Sequence, residues 1–491
     1  MKLSIIYKTL LAIGLLAFVS ACDDSFVDRS PLYSIDSENY FNSEDDYNNA
    51  LIAAYDLLQT TYVNVMLGEI ASDNTLCGGE SATDVIGFQQ IDDMIHTPVN
   101  DNLQDIWNWM FAGVNRASYI LEFQDKTDFA GKEQILAEAR FLRAYYYFEL
   151  VKWFGPIPIK GDARFEVGDE TAIPRAPVSE VYAAIEADLQ YAVDNLADIA
   201  PQVGRADKSA AQALLGKAYL YQEKFAEAAA VLEEVITNGK YTLVDDFGQI
   251  FEMEGENGPG AVFEVQYSDA EGAGFGCLQC SEGNVAVGFN GIRNYSGPVF
   301  DAGFSFNVPV QEAYEAYEPG DSRRDVAILD IEAWAEETGA TYGIGFEHTG
   351  YYNRKYIARK GDANLGDQNL TNPNNYRAIR YADVLLMAAE ALNRGGIDDE
   401  RARTYLNEVR RRAFGDMDHD IGASGDALTD FILEERRLEL MGEGHRFFDL
   451  VRTGRAADAI DGFQAGKHEL FPIPIEEIQF SNGNWEQNPG Y

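Results

Sequence analysis

The sequence predicts a mainly α protein, a scaffold of helical repeats interrupted by one loop-rich, partly β insertion. Three observations predict it. Residues 207–240 hold two helical stripes, Leu214, Leu215, Ala218 and Tyr219, then Ala228, Leu232, Val235 and Ile236, parted by the polar break Gln222-Glu223-Lys224. A second pair of helical patterns occupies residues 375–413, with Ala402, Leu406 and Val409 on its later member. Between the pairs, residues 241–375 are rich in glycine, asparagine and aromatics, and the helical period nearly vanishes.

In the first pair, Leu215, Gly216 and Tyr219 take the first-helix positions of the tetratricopeptide pattern, and Ala228 and Leu232 the second-helix ones. Small residues at Gly216 and Ala228 let two antiparallel helices approach closely, with Tyr219 filling the gap beside them. One such hairpin cannot bury its apolar face alone, so stacked neighbours are expected.

Taken in order, residues 1–21 read as an export signal: Lys2 and Lys8, an apolar run from Leu10 to Val19, then small residues. The segment closes on Val19-Ser20-Ala21-Cys22, which resembles a bacterial lipobox, and this implies cleavage before Cys22 and lipidation there. Asp23 and Asp24 resemble a surface-export tag. Residues 22–36 form the tether, and 37–491 a single folded domain. Helical periodicity starts near Glu44, with Tyr47, Leu51, Ala54, Tyr55 and Leu58 on one face. Residues 61–101 look irregular. Helix resumes with Trp107, Phe111, Val114 and Ile120 inward, continues through 133–154, and stops at Gly155-Pro156. Another helix enters at Pro177 and carries Val181, Ile185, Leu189, Val193 and Leu196 in a stripe. Inside the insertion, a strand is expected at 261–267 and a helix near 309–318.

The chain is strongly acidic: 38 basic against 81 acidic residues give a net charge of −43. Nucleic acid and anionic membrane surfaces would repel it. Five histidines are scattered without ligand spacing, and Ser72-Asp73-Asn74 lacks the companion motifs of a serine hydrolase. No catalytic constellation, metal motif or cofactor site emerges, and none is expected; calcium has no motif here. Cys277 and Cys280 are loop cysteines or a disulfide, with a link from Cys77 to either left open. A lipid-anchored glycosidase and a repeat scaffold for outer-membrane assembly are the rival readings.

Four stretches then carry a family resemblance: residues 137–159, 376–393, 434–455 and the tail 470–491, with Asn353-Arg354-Lys355-Tyr356 and Phe306-Asn307-Val308-Pro309 as lesser matches. They resemble the SusD/RagB nutrient-uptake lipoproteins of Gram-negative outer membranes. In 434–455, alternating charges and apolar residues suit a helix, a break at Gly442 to Gly444 and a second helix, with partly buried ion pairs. The tail, with Pro472 and Pro474, reads as an extended strap.

The resemblance implies a non-enzymatic lipoprotein on the cell exterior. It would capture an oligosaccharide or other nutrient oligomer and pass it to a SusC-like TonB-dependent outer-membrane transporter. Aromatic rings stack on the C–H faces of sugars while amides, carboxylates and arginine bond their edges. A neutral ligand suits this charge better than an acidic one. Because family members bind ligand with loops laid over the helices, the two irregular stretches supply the candidates. Phe88, Phe289 and Tyr295 would stack; Asp73, Asn74, Asn290 and Arg293 would bond the edges. The competing reading places such aromatics in the cores of the loops.

Overall fold

The computed structural model describes residues 40–362 and 369–491. The signal segment, Cys22 and the tether lie outside the described residues. The scaffold is a run of helices: α1 (Glu44–Asp56), α2 (Tyr62–Ile70), α3 (Ile86–Asp92), α4 (Asp101–Glu122), α5 (Lys132–Phe154), α6 (Val178–Asn195), α7 (Lys208–Tyr221) and α8 (Phe225–Thr237). After the insertion come α9 (Tyr381–Arg394), α10 (Asp399–Phe414), α11 (Asp426–Glu439) and α12 (Arg446–Arg452).

Local chemistry sets the helix ends. Ser43 and Asp46 make a reciprocal capping box at the start of α1, and Asn100 accepts the N–H groups of Asn102 and Leu103 at the start of α4. Helix α5 ends at Gly155, in a positive-φ conformation, just before Pro156.

Each helix from α4 to α8 packs on the next, and α8 then packs directly on α9, which contacts α10 and α11. The array is therefore continuous in space although 241–375 interrupts it in sequence. Closeness is enforced where the repeat pattern requires it: a Cβ on Gly216 would come 2.5 Å from the Leu232 side chain, and Ala228 is fully buried.

Two short ribbons tie the excursions to this frame, built from β1 (Thr75–Cys77), β2 (Ala261–Val265), β3 (Asn307–Pro309) and β4 (Tyr376–Arg380). Strand β2 pairs antiparallel with β4, so the insertion leaves and rejoins the scaffold at one place. A long insertion with its ends held together costs the rest of the fold little. Strand β1 pairs antiparallel with β3, which joins the first excursion to the second.

The structure corrects several expectations. Residues 61–101 contain α2 and α3. Nearly all of α2 is buried, from Tyr62 and Val63 to Glu69 and Ile70, so it has no polar face and no periodicity to detect. The expected helix near 309–318 is Gln311–Glu315, and the insertion adds short helices at Ala286–Asn290, Arg324–Ala327 and Ile331–Thr338. The tail is extended where the N–H of Phe471 donates to the Trp153 carbonyl, then forms the helix Ile475–Phe480. Cys277 is bonded to Cys280, and Cys77 is a buried thiol.

Candidate functional site

A cavity of about 320 Å³ opens where the two excursions meet over the start of α2 and the first turn of α4. This is the lower end of the range for small-molecule sites. Its apolar wall is a cluster of phenylalanines. Phe88, Phe289 and Phe306 are buried, with Phe289 5.4 Å from Phe88 and 5.3 Å from Phe306 between ring centroids. Phe304 stands half-buried 5.9 Å from Phe289, and Phe275, 61% exposed, lies 5.8 Å beyond Phe304. The buried rings thus form a rigid base, and Phe304 and Phe275 offer a step of aromatic surface to solvent. The Cys277–Cys280 disulfide closes the turn beside Phe275 and holds Leu278 against the same cavity.

Polar groups line the other side: Glu80, Asp84, Asn102, Asp105 and Arg293. Arg293 is fixed by donating from Nη2 to the Phe304 carbonyl at 2.8 Å and from Nε to Ser305 Oγ at 3.1 Å, with Asp84 3.7 Å away. Burial, reinforced by Asp101, pushes the Asp105 carboxyl up to about 6. An aromatic step facing carboxylates, an amide and a guanidinium can stack a sugar ring and bond its hydroxyls. Among the described residues, no group of three or more His, Cys, Asp or Glu is placed to hold a metal ion.

Of the residues singled out from sequence, Phe88, Phe289 and Arg293 line this cavity. The other four lie elsewhere. Asp73 is held by Arg446 through bonds of 2.7 and 2.8 Å, and Asn74, fully buried, accepts from Arg437 Nε at 2.8 Å. Both therefore tie the end of α2 to α11 and α12. Asn290 is buried on the helix that carries Phe289. Tyr295 belongs to a separate small core with Phe300; its hydroxyl donates to the Pro298 carbonyl and accepts from Trp334 Nε1. Sequence reasoning missed Phe275, Phe304, Asn102 and Asp105. Phe275 stands in a run of glycines next to the CxxC, the one local signal that marks it as displayed.

Comparison with known proteins decides the family. The sequence profile of the SusD family matches residues 330–491, and a second profile, described as starch-binding associating with outer membrane, matches residues 25–220. A solved laminarin-binding SusD-like protein is 35% identical, with 92% of this chain and 100% of that chain covered at a TM-score of 0.83. The chain belongs to the SusD family. Surface glycan-binding protein A from Bacteroides thetaiotaomicron, solved with laminarihexaose, is 27% identical over 91% of this chain and 99% of its own, with a TM-score of 0.81. A SusD-like protein of Formosa agariphila is 28% identical across 99% of both chains. Two of these relatives, the laminarin-binding protein and surface glycan-binding protein A, are named as glycan-binding proteins.

Proposed function

We propose that this SusD member is lipidated at Cys22, faces the cell exterior, and captures a neutral glucan of the laminarin type. It then hands the glucan to a SusC-like TonB-dependent transporter. The observation that carries the ligand assignment is the exposed step of Phe275 and Phe304 opposite Asn102, Asp105 and Arg293. The ligands of two relatives that align over nine-tenths of this chain support the same class. Stacking on one or two rings yields only micromolar-to-millimolar affinity once binding costs are met, which suits a carrier that must release its cargo.

Calorimetry with laminarihexaose tests the proposal. Phe275→Ala should weaken binding roughly tenfold, the loss of about 1–2 kcal/mol of stacking and apolar contact. Its melting temperature should hold, because the ring is exposed. Phe304→Ala should act in the same direction. Wild-type protein that shows no binding to laminarihexaose would end the laminarin reading, and full affinity in both variants would move the site elsewhere. Transfer is tested separately, by co-purification with a SusC-like transporter of the same organism.

A further inference from the structure

A second cavity, of about 330 Å³, lies on another part of α4, and shares no residue with the first. Three distant segments build it: α4 around Trp107 to Asn115, the loop from Pro158 to Ile173, and the tail at Glu477 and Trp485. The loop and tail are stitched together, since Trp485 Nε1 and Asn484 Nδ2 donate to the Ile173 carbonyl at 2.8 and 2.9 Å. Its wall is aromatic. Trp107 sits 4.8 Å from Phe111 and 5.9 Å from Trp485, and Phe111 lies edge-on to Phe165 at 5.6 Å.

Charge distinguishes this cavity from a plain sugar cleft. Four carboxylates line it, those of Glu166, Asp169, Glu170 and Glu477. Only Asp169 has a cation, Lys160; among the described residues no lysine or arginine forms an ion pair with the other three. Glu477 is half-buried, and burial raises its carboxyl pKa; the Trp107 indole N–H opposes this, and Glu170 and Glu476 push it further up. Three carboxylates without an ion-pair partner, held beside aromatic faces, create an electrostatic demand that a neutral ligand leaves unmet.

We propose that this cavity is a second binding site, one that takes an amine-bearing sugar. The ammonium would sit between Glu477 and Glu170 against the aromatic wall, and the sugar ring would lie along Phe111 and Phe165 with the exposed Asn108 amide at its edge. The assignment is independent of the laminarin reading.

Three disaccharides of one linkage test it by calorimetry: glucosamine disaccharide with free, charged amines, its N-acetylated form, and cellobiose. The free-amine sugar should bind at least about tenfold more tightly than the other two, and added salt should weaken it. Glu477→Gln, which keeps an acceptor for Trp107, should lose about tenfold of that affinity while laminarihexaose binding stays unchanged. Phe275→Ala should leave the amine site intact. Cellobiose binding as tightly as the free-amine sugar, or no detectable binding of the latter, would overturn the proposal. So would undiminished affinity in Glu477→Gln. If Glu477→Gln lowers the melting temperature, Glu166→Gln on the exposed rim replaces it, and unchanged affinity there likewise overturns the assignment.

Discussion

Glu439→Ala is expected to destabilise the fold by about 3–5 kcal/mol, the cost of leaving buried charges without their partner. The Glu439 carboxylate, at the end of α11, accepts from Arg323 at 3.0 Å, Arg380 at 2.9 Å and Arg412 at 2.6 Å. These three arginines come from the insertion, from β4 and from α10, so one side chain pins three parts of the chain. Their exposures are 0%, 3% and 4%, which leaves no water to replace the lost carboxylate. Burial works to raise the Glu439 pKa, yet Arg412, Arg380 and Arg323 outweigh it and hold the carboxyl well below the ordinary range. The network continues outward, since Glu443 holds Arg380 and Lys355, and Glu435 holds Arg323 and Arg410. Urea denaturation is the measurement, because guanidinium would screen the charges. The midpoint should fall sharply for Glu439→Ala and less for Glu439→Gln, which keeps the volume and one acceptor. An alanine variant within about 1 kcal/mol of wild type would show that this network is dispensable.

The same network shows what the sequence reveals and what it hides. Alternating charge and apolar residues in 434–455 mark a helix, a glycine break and a second helix, and α11 and α12 bracket Gly442 to Gly444 as that pattern requires. The degree of burial is hidden. Two of the partners of Glu435 and Glu439, Arg323 and Arg380, lie more than fifty residues away, and no local pattern pairs them. Continuity of the array is hidden for the same reason, because the α8–α9 contact bridges the whole insertion. Within one element, by contrast, periodicity is a sound guide: the inward stripe of α6 is buried at Val181, Ile185, Leu189 and Val193.

The candidate site is legible at the level of segments and illegible at the level of side chains. Loops of irregular sequence lying over a regular frame point to a site, and the cavity does sit where the two excursions meet. Which aromatic is displayed is set by tertiary packing. Phe289 and Tyr295 look alike in sequence to Phe275 and Phe304, yet the first two are buried, at 5% and 8% exposure. Truncating Phe289 or Tyr295 to alanine would open a core cavity and lower stability as well as any affinity. Asp73 and Asn74 mislead differently, because their bonds to Arg446 and Arg437 give them a full structural explanation.

Gly444→Ala should cost about 2–5 kcal/mol, the sum of a left-handed backbone penalty and an overpacking penalty. Gly444 has φ +81°, and a Cβ there would stand 2.8 Å from both the Cα and the carbonyl oxygen of Val65 on α2. These are backbone atoms of a buried helix, so neither can swing aside. The approach is mutual, since a Cβ on Gly68 would meet the Gly444 carbonyl at 2.7 Å. The N–H groups of Gly442 and Gly444 both donate at 3.0 Å to the buried Glu69 carboxylate, whose pKa burial raises to about 7 against the pull of those two donors. Moving the turn would therefore also strand Glu69. Gly415 supplies the control: its φ is +77°, and a Cβ there would meet nothing within 4 Å. Gly415→Ala should lose only the backbone part, about 1–2 kcal/mol. Equal losses in the two variants would mean that the contact between α2 and the 442–444 turn carries no packing constraint. A larger loss at Gly444 would place the constraint at the foot of the candidate site, because α2 begins at Tyr62, which lines the cavity. In that case Gly444→Ala should weaken laminarihexaose binding even where the protein remains folded, through a displaced Tyr62 and not through any contact of Gly444 with the sugar.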